Sequence, residues 1–139
     1  MKESNCRVNK TVLLVDDCDF ERGLYSRILS TAGFEVTEAG NGEGALSLIE
    51  KQGKEAWNHL IVDYNMPGMS GAELIRRISK MKANFQFVTL LTGLPPSSPF
   101  VLALFREFVH LHYYHKDSGP MGFVECLQLH CARNVANWT

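Results

Sequence analysis

Acids, a hydroxyl and a lysine follow short apolar runs at four separated points of the chain. Asp16 and Asp17 follow the first run, Asp63 follows another, Thr92 ends a third and Lys116 comes just after a fourth. Crowded carboxylates repel one another, and a bound divalent cation removes that cost. An all-oxygen ligand set suits Mg²⁺, while a lysine and a hydroxyl suit a neighbouring anion such as a phosphoryl group. Because a carboxylate can itself accept a phosphoryl group, these residue types predict phosphoryl chemistry if the fold brings them together.

The stretches that must position these residues alternate between short strands and helices. Apolar, β-branched runs predict strands over 11–15, 35–39, 59–62, 87–91 and 111–114. Apolar spacing between them predicts helices over 19–32, from 42, from 71, over 99–108 and over 121–134. Five β-α units with right-handed crossovers predict a doubly wound α/β domain. In such a domain, ligand sites lie at the carboxyl ends of the strands, where the acids, the hydroxyl and the lysine are found.

Three of the predicted helices have start signals in the sequence. Asn41 and Ser70 are capping residues, and Glu73 stands three positions after Ser70, as in a capping box. Ser98 precedes Pro99, which is a cap followed by a first-turn proline. These signals predict where the second, third and fourth helices begin.

The motifs at the strand ends resemble those of receiver domains of two-component response regulators, of the chemotaxis-regulator type. The matching segments read VLLVDD, LIVDYNMPGMSG, LLTG and YYHK, at 12–17, 60–71, 90–93 and 113–116. The second segment is specific, because an Asp is followed by Asn-Met-Pro and then by a glycine before a helix. The resemblance covers about residues 10–135. It implies a flavodoxin-like fold, with five helices around a five-stranded parallel sheet of strand order 2-1-3-4-5.

The resemblance also implies a phosphoacceptor and a metal site. Asp63 would accept the phosphoryl group from a phosphohistidine on a histidine kinase or histidine phosphotransferase. Mg²⁺ would be bound directly by Asp17, mostly through water by Asp16, and also by Asp63 and the backbone carbonyl of Asn65. Such a domain is a signalling module and not an enzyme, although it takes part in its own phosphorylation and dephosphorylation.

Three further residues would respond to the phosphoryl group in such a domain. Thr92 would bond a phosphoryl oxygen and move toward it, and Lys116 would pair with the phosphate, or with Asp63 beforehand. Tyr113 occupies the aromatic switch position, and its ring would turn inward when Thr92 moves. The added negative charge would then bias a two-state surface.

Two positions depart from the family pattern. Asp117 follows Lys116 where the family usually has a proline, and the peptide there is often cis, so the conformation of this loop stays open. Asp117 also adds an acid beside the predicted site. Leu94, two residues after Thr92, is apolar where polar residues are common. We hypothesise that Leu94 limits the attacking water and lengthens the phosphoryl lifetime.

The fourth and fifth predicted helices carry few charges. Residues 99–108 read PFVLALFREF, and the last helix is rich in apolar residues as well. A surface helix should have a polar face. We therefore expect the surface formed by helix 4, strand 5 and helix 5 to bind a downstream protein or a second copy of the chain. The alternative is burial by the tail around Trp138.

Composition excludes several classes of protein. The chain has 139 residues, 14 basic and 15 acidic, for a net charge of −1, which favours neither nucleic acid nor an anionic membrane as the main partner. No apolar run is long enough to span a membrane, and the start lacks a signal peptide. Four cysteines without a C-x-x-C pair fit a reducing compartment, so we expect a cytoplasmic protein. The expected divisions are a leader over 1–10, one domain over 11–135 and a tail over 136–139.

Two other functions stay open from the sequence. Asp17-Cys18-Asp19 matches the D-x-D motif of haloacid dehalogenase-like phosphatases, in which Asp17 would be the nucleophile. Against it, the short stretch after Lys116 lacks a second acidic pair. Alternatively, the chain acts as a receiver-like module through protein contacts alone, without phosphorylation, although the intact set of acids, hydroxyl and lysine argues against this.

Overall fold

The computed structural model describes residues 10–132, with the side chains of residues 10–130. Most of the predicted leader, the end of the predicted last helix at 133–134 and the predicted tail with Trp138 lie outside the described residues. The proposed cover of the apolar surface by that tail therefore stays a prediction.

Strands and helices alternate along the described chain as the sequence predicts. The strands are β1 (Thr11–Val15), β2 (Glu35–Ala39), β3 (His59–Val62), β4 (Phe87–Thr92) and β5 (His112–His115). The helices are α1 (Asp19–Thr31), α2 (Gly42–Gln52), α3 (Gly71–Lys80), α4 (Pro99–Glu107) and α5 (Pro120–Ala132), with a 3₁₀ turn at Lys116–Ser118. No helix within residues 10–132 has both the length and the apolar character that a membrane span requires.

The last two strands differ slightly from the prediction. β4 runs on to Thr92, because Thr92 pairs in register with His115 of β5. The prediction that β5 begins at Leu111 is wrong by one residue: the Leu111 N–H donates to the Phe108 carbonyl at 3.1 Å, which keeps Leu111 in the preceding turn. The shift leaves the polar residues at the carboxyl ends of both strands.

All five strands form one parallel sheet of order β2-β1-β3-β4-β5, which confirms the predicted flavodoxin-like fold. Val15 pairs with Val62 and Val62 pairs with Leu90, so the central strands end at the same level. Since parallel strands share one carboxyl edge, the residues that follow them meet there.

Both faces of the sheet are buried, which explains why the central strands β1, β3 and β4 are mostly apolar. Leu13 and Leu60 belong to the core that includes α2, α3 and α4. Val12 and Ile61 belong to the core that includes α1 and α5. Apolar packing therefore covers both faces of the sheet, while its carboxyl edge carries the polar groups.

The apolar residues of α4 and α5 are divided between the core and the surface. Val101 and Leu104 of α4 are buried, as are the core residues of α5 (Phe123, Val124 and Leu127). Phe100, Leu102, Met121 and Leu129 are exposed. Part of the predicted apolar surplus is thus core packing, and the rest remains available at the surface of the described chain.

The predicted caps are present at the helix starts. Asn41 accepts the Gly44 N–H at 2.7 Å, Ser70 accepts the Glu73 N–H at 3.1 Å, and Ser98 accepts the Phe100 N–H at 3.3 Å. Each bond satisfies a backbone donor that the helix leaves without a partner. The carboxylate of Glu73 pairs with Arg77 one turn along the helix, at 3.1 Å.

Candidate functional site

Three carboxylates meet where β1 and β3 end. Because Val15 and Val62 are paired in the sheet, Asp16 and Asp63 follow them side by side, and the Asp63 N–H donates to the Val15 carbonyl at 3.0 Å. Carboxylate oxygens of Asp16, Asp17 and Asp63 lie within 4.8 Å of one another. Asp16 and Asp63 are buried, whereas Asp17 is exposed. Among the described residues, this is the one group of three potential metal-ligating side chains found at such distances.

Asp16 is held in place by its own loop and by α1. Its Oδ1 accepts the Cys18 N–H at 3.0 Å. Arg22 Nη1 donates to the Asp16 backbone carbonyl at 2.7 Å, and the same guanidinium bonds Glu38 at 3.0 Å and Asp19 at 2.8 Å. A guanidinium with three separate acceptors has little freedom, so it fixes the end of β1 relative to α1 and β2.

Asp19 does not join the acidic group. Its side chain is 91% exposed and pairs with Arg22. The D-x-D motif of a haloacid dehalogenase-like phosphatase would need this carboxylate at the site with Asp17. The structure therefore does not favour that alternative.

Lys116 is the cation of the site. Its Nζ lies 2.7 Å from Glu21 Oε1, 3.2 Å from Asp16 Oδ2 and 3.2 Å from Asp63 Oδ2. The side chain is 14% exposed. Burial lowers the pKa of Lys116, but the hydrogen bond to Glu21 and the charges of Asp63 and Asp16 outweigh it and raise the pKa above its ordinary value. Lys116 is therefore charged at any physiological pH.

The backbone after Lys116 forms the 3₁₀ turn rather than an extended loop. The Asp117 N–H donates to His115 Nδ1 at 3.0 Å, and the Lys116–Asp117 peptide is trans. The structure does not support the expectation that Asp117 adds an acid to the site, because its side chain is 92% exposed and is not among the carboxylates that group with Asp63.

Glu21 is a site residue that the sequence reasoning missed. It lies in the first turn of α1, and its side chain accepts a hydrogen bond from the Lys116 ammonium. Tyr25 and Leu29 follow at intervals of four residues and are both buried. Residues four apart share one helix face, so Glu21 stands on the core-facing side of α1 at the end nearest the strand termini. An acid on an otherwise apolar helix face was the available signal.

Thr92 and Tyr113 are joined through one residue of the β4–α4 loop. Thr92 is fully buried, and its Oγ1 accepts the Leu94 N–H at 3.2 Å. The Tyr113 hydroxyl donates to the Leu94 carbonyl at 2.5 Å. The Tyr113 ring also packs edge-on against Phe105 of α4, with the ring centroids 6.3 Å apart. The two peptide groups of Leu94 thus connect the end of β4 to β5.

The loop after Asp63 returns closely to its own start. Asn65 is exposed, two residues beyond Asp63. The Gly71 N–H donates to the Tyr64 carbonyl at 2.8 Å, and a Cβ at Gly71 would collide with the backbone carbonyl oxygen of Asp63. The glycine that opens α3 is therefore required by this close approach.

Burial dominates the electrostatics of Asp63. It raises the pKa of the carboxyl above its ordinary value of 3.8; the charge of Lys116 opposes the shift and that of Asp16 adds to it. One lysine does not neutralise the carboxylates of Asp16, Asp17 and Asp63. The site therefore attracts a further cation, and an all-oxygen donor set of this kind fits a hard divalent ion.

Comparison with known proteins gives one consistent result. The family model described as "Response regulator receiver domain" matches residues 12–96. The chain is 35% identical, over 82 residues, to the chemotaxis protein CheY of Thermotoga maritima, covering 58% of this chain and 66% of that protein.

Solved structures agree with the sequence comparison. The Vibrio cholerae chemotaxis protein CheY4 superposes with a TM-score of 0.74 at 28% identity, covering 86% of this chain and 96% of that one. The Thermotoga maritima response regulator TrrA, solved in complex with Mg²⁺ and beryllofluoride, has a TM-score of 0.69 at 28% identity, covering 86% and 97%.

The matched curated proteins are longer than the matched region. The chain covers 66% of the Thermotoga chemotaxis protein, and 17% and 9% of two other curated relatives. The similarity therefore concerns one domain that occurs both alone and within larger proteins.

Proposed function

The chain belongs to the family of response regulator receiver domains, the phosphorylation-controlled modules of two-component signalling, and we propose that Asp63 is its phosphoacceptor. The observation that carries the proposal is that the Lys116 ammonium lies 3.2 Å from the carboxylates of both Asp63 and Asp16. A buried carboxylate with a fixed cation beside it is placed to receive an anionic group.

The proposed reaction is a transfer from a phosphohistidine to Asp63. An Asp63 carboxylate oxygen attacks phosphorus, the new O–P bond forms, and the P–N bond to the imidazole breaks. The imidazole nitrogen keeps the electron pair of that bond. The product is an aspartyl phosphate, which carries more negative charge than the carboxylate that it replaces.

The three carboxylates of the site fit Mg²⁺. Asp16, Asp17 and Asp63 supply the oxygen ligands, and we propose the backbone carbonyl of Asn65 as a further ligand. When bound, the ion would offset the mutual repulsion of the carboxylates and of the incoming phosphoryl oxygens. Asp16 is the more buried ligand and Asp17 the more exposed one, which agrees with an opening on the Asp17 side.

Lys116 and Thr92 complete the proposed phosphoryl site. The Lys116 ammonium already points at Asp63 and donates charge-assisted hydrogen bonds, which an anionic phosphoryl oxygen can accept. The Thr92 hydroxyl keeps its own proton free to donate while it accepts the Leu94 N–H. Thr92 ends β4, which pairs with β3, and Lys116 follows β5, the next strand of the sheet.

The same hydroxyl couples the site to the surface. If Thr92 turns toward a phosphoryl oxygen, its contact with the Leu94 N–H must change, and the Leu94 carbonyl that holds Tyr113 belongs to the same short loop. We therefore propose Thr92 and Tyr113 as the switch. The surface that would change is the one formed by α4, β5 and α5.

The proposed partners follow from this arrangement. A histidine kinase or histidine phosphotransferase supplies the phosphoryl group. A downstream protein, or a second copy of this chain, binds the α4–β5–α5 surface, where Phe100, Leu102 and Met121 are exposed. The exposed apolar area supports a protein partner rather than a nucleic acid.

Incubation with Mg²⁺ and acetyl phosphate, followed by intact-protein mass spectrometry, tests the function. We expect one phosphoryl group per chain, none in Asp63→Asn, and none when Mg²⁺ is chelated. Asp19→Asn is the matched control, because Asp19 is a nearby acid that pairs with Arg22 outside the site.

Three outcomes would contradict the proposal. Modification that survives in Asp63→Asn would place the phosphoacceptor elsewhere. Turnover of a phosphate ester that depends on Asp17 and on Asp19 would indicate a phosphatase. If neither acetyl phosphate nor beryllofluoride modifies the protein in the presence of Mg²⁺, the chain acts through contacts alone.

A further inference from the structure

We propose that Glu21 is a positioning residue that competes with the phosphoryl group for the ammonium of Lys116. It would thereby weaken anion binding at the site and strengthen cation binding. The inference rests on the proposed function and adds a residue that the family motifs do not contain. It begins from the shortest contact of the site, the 2.7 Å separation of Lys116 Nζ and Glu21 Oε1.

The donor capacity of Lys116 is fully used. An ammonium group has three N–H donors, and Lys116 Nζ lies within hydrogen-bond distance of three carboxylates, those of Glu21, Asp16 and Asp63. A phosphoryl oxygen can therefore gain a full hydrogen bond from Lys116 only when one existing contact is weakened. Every carboxylate around this ammonium is a competitor.

Of the three carboxylates, that of Glu21 can most easily give up its hydrogen bond to Lys116. Asp16 is 2% exposed and its Oδ1 is already bonded to the Cys18 N–H, so it cannot turn away into water. Asp63 is the group that carries the phosphoryl. The Glu21 side chain is 41% exposed, and a released carboxylate would be rehydrated at little cost. The position of Glu21 thus makes it the reversible partner.

The negative charge of Glu21 should weaken anion binding, as its competition for Lys116 does. Glu21 adds a fourth carboxylate to a site that already holds Asp16, Asp17 and Asp63. A negative charge next to Lys116 repels an incoming phosphoryl dianion and attracts a divalent cation. Partial exposure screens the effect, so it is moderate in size. The two affinities are therefore expected to respond to Glu21 with opposite signs.

Titrations of Glu21→Gln test these opposite signs. Mg²⁺ alone is titrated first and followed by amide chemical shifts, and beryllofluoride is then titrated at saturating Mg²⁺ and followed by ¹⁹F NMR. We expect the apparent affinity for beryllofluoride to rise by a factor of about 5 and that for Mg²⁺ to fall by a similar factor. Glu21→Ala removes the hydrogen-bond acceptor as well and should raise beryllofluoride affinity at least as far.

Glu50→Gln provides the control, because it makes the same charge change at an exposed position of α2. Neither affinity should change in that variant. A merely structural role for Glu21 would weaken both affinities together, and that result would overturn the inference, as would two unchanged affinities. If the unaltered protein binds no beryllofluoride and Asp63 takes no phosphoryl group, the proposed function fails and the inference with it. If only the Glu21 variants deviate from expectation, the proposed function stands.

Discussion

The Tyr113 hydroxyl donates a hydrogen bond of 2.5 Å to the backbone carbonyl of Leu94. The N–H of Leu94 donates in turn to Thr92 Oγ1, at 3.2 Å. One residue of the β4–α4 loop therefore holds contacts with both proposed switch residues. Because the bond from Tyr113 crosses from β5 to this loop, it fixes the loop without help from a ligand.

Tyr113→Phe should loosen the loop while leaving the phosphoryl chemistry in place. The ring can keep its contact with Phe105, so the loss is one hydrogen bond, worth about 1 kcal/mol of unfolding free energy. We expect faster amide hydrogen exchange at Leu94 and unchanged modification of Asp63 by acetyl phosphate. Tyr114→Phe is the control, since its hydroxyl bonds the Gly119 carbonyl instead, at 2.8 Å. Equal exchange rates at Leu94 in all three proteins would contradict the role of the bond.

Leu94→Glu should shorten the lifetime of the aspartyl phosphate. Leu94 is half-buried beside Thr92 and packs against the core, and its apolar side chain offers a water molecule no hydrogen bond. A carboxylate would hold and orient such a water, and we expect dephosphorylation to be faster by about 10-fold. Loss of the phosphorylated mass with time, after removal of the donor, measures the rate. An unaltered rate would sink the hypothesis.

The meeting of the acids, Thr92 and Lys116 could be predicted from the topology of the sheet alone. A parallel sheet has one carboxyl edge, and each of these residues ends a strand or follows one directly. The register then confirms the arrangement, with Val15 opposite Val62 and Thr92 opposite His115. Apolar strands bounded by polar residues are a strong signal, since a buried strand excludes charge.

The contact of Glu21 with Lys116 and the exposure of Asp117 could not be predicted from strand order. Both depend on how a helix or turn is rotated about its own axis, and strand order does not fix that rotation. The side chain of Asp117 is exposed, while its backbone N–H donates to the His115 side chain, which caps the 3₁₀ turn. The exposed apolar surface of α4 was likewise overestimated from the sequence, because Val101 and Leu104 pack into the core.

Lys116→Met should destabilise the protein at neutral pH. The substitution leaves the buried carboxylates of Asp16 and Asp63 without their cation, and we expect a loss of about 2 kcal/mol of unfolding free energy. Added Mg²⁺ should recover part of the loss, because it restores positive charge to the same carboxylates. Urea unfolding with EDTA and with Mg²⁺ measures both effects. Lys80→Met, at an exposed position of α3, should change neither value. An equal loss in the two variants would contradict the assigned role of Lys116.

Asp63→Asn should stabilise the metal-free protein, increasingly so as the pH rises. Folding raises the pKa of Asp63, chiefly through burial, so the folded state holds this proton to a higher pH than the unfolded chain does. The stability due to this group is complete below its ordinary value of 3.8 and is lost as the pH rises through the raised value. Asn resembles the neutral acid and does not suffer that loss.

In EDTA, the unfolding free energy of Asp63→Asn should therefore exceed that of the unaltered protein by an amount that grows from about pH 4 to about pH 7. Denaturant unfolding at several pH values measures it. A difference that shrinks as the pH rises would mean that the charge of Lys116 lowers the pKa of Asp63 more than burial raises it. Added Mg²⁺ should narrow the difference, because the ion stabilises the charged Asp63 carboxylate. The Asp63→Asn variant lacks that ligand and gains less from the ion.

Gly71→Ala should disrupt the loop that carries Asp63. A Cβ at this position would collide with the backbone carbonyl oxygen of Asp63, and backbone atoms cannot move aside as a flexible side chain can. We expect a loss of about 3 kcal/mol of unfolding free energy and a lower rate of modification at Asp63. The matched control is Gly23→Ala, an exposed helical glycine with nothing within 4 Å of the added Cβ. Because alanine favours the helix, that change should stabilise the protein by about 1 kcal/mol. Thermal or urea unfolding of the two variants gives opposite signs if the close approach at Gly71 is the cause, whereas two shifts of the same sign would contradict it.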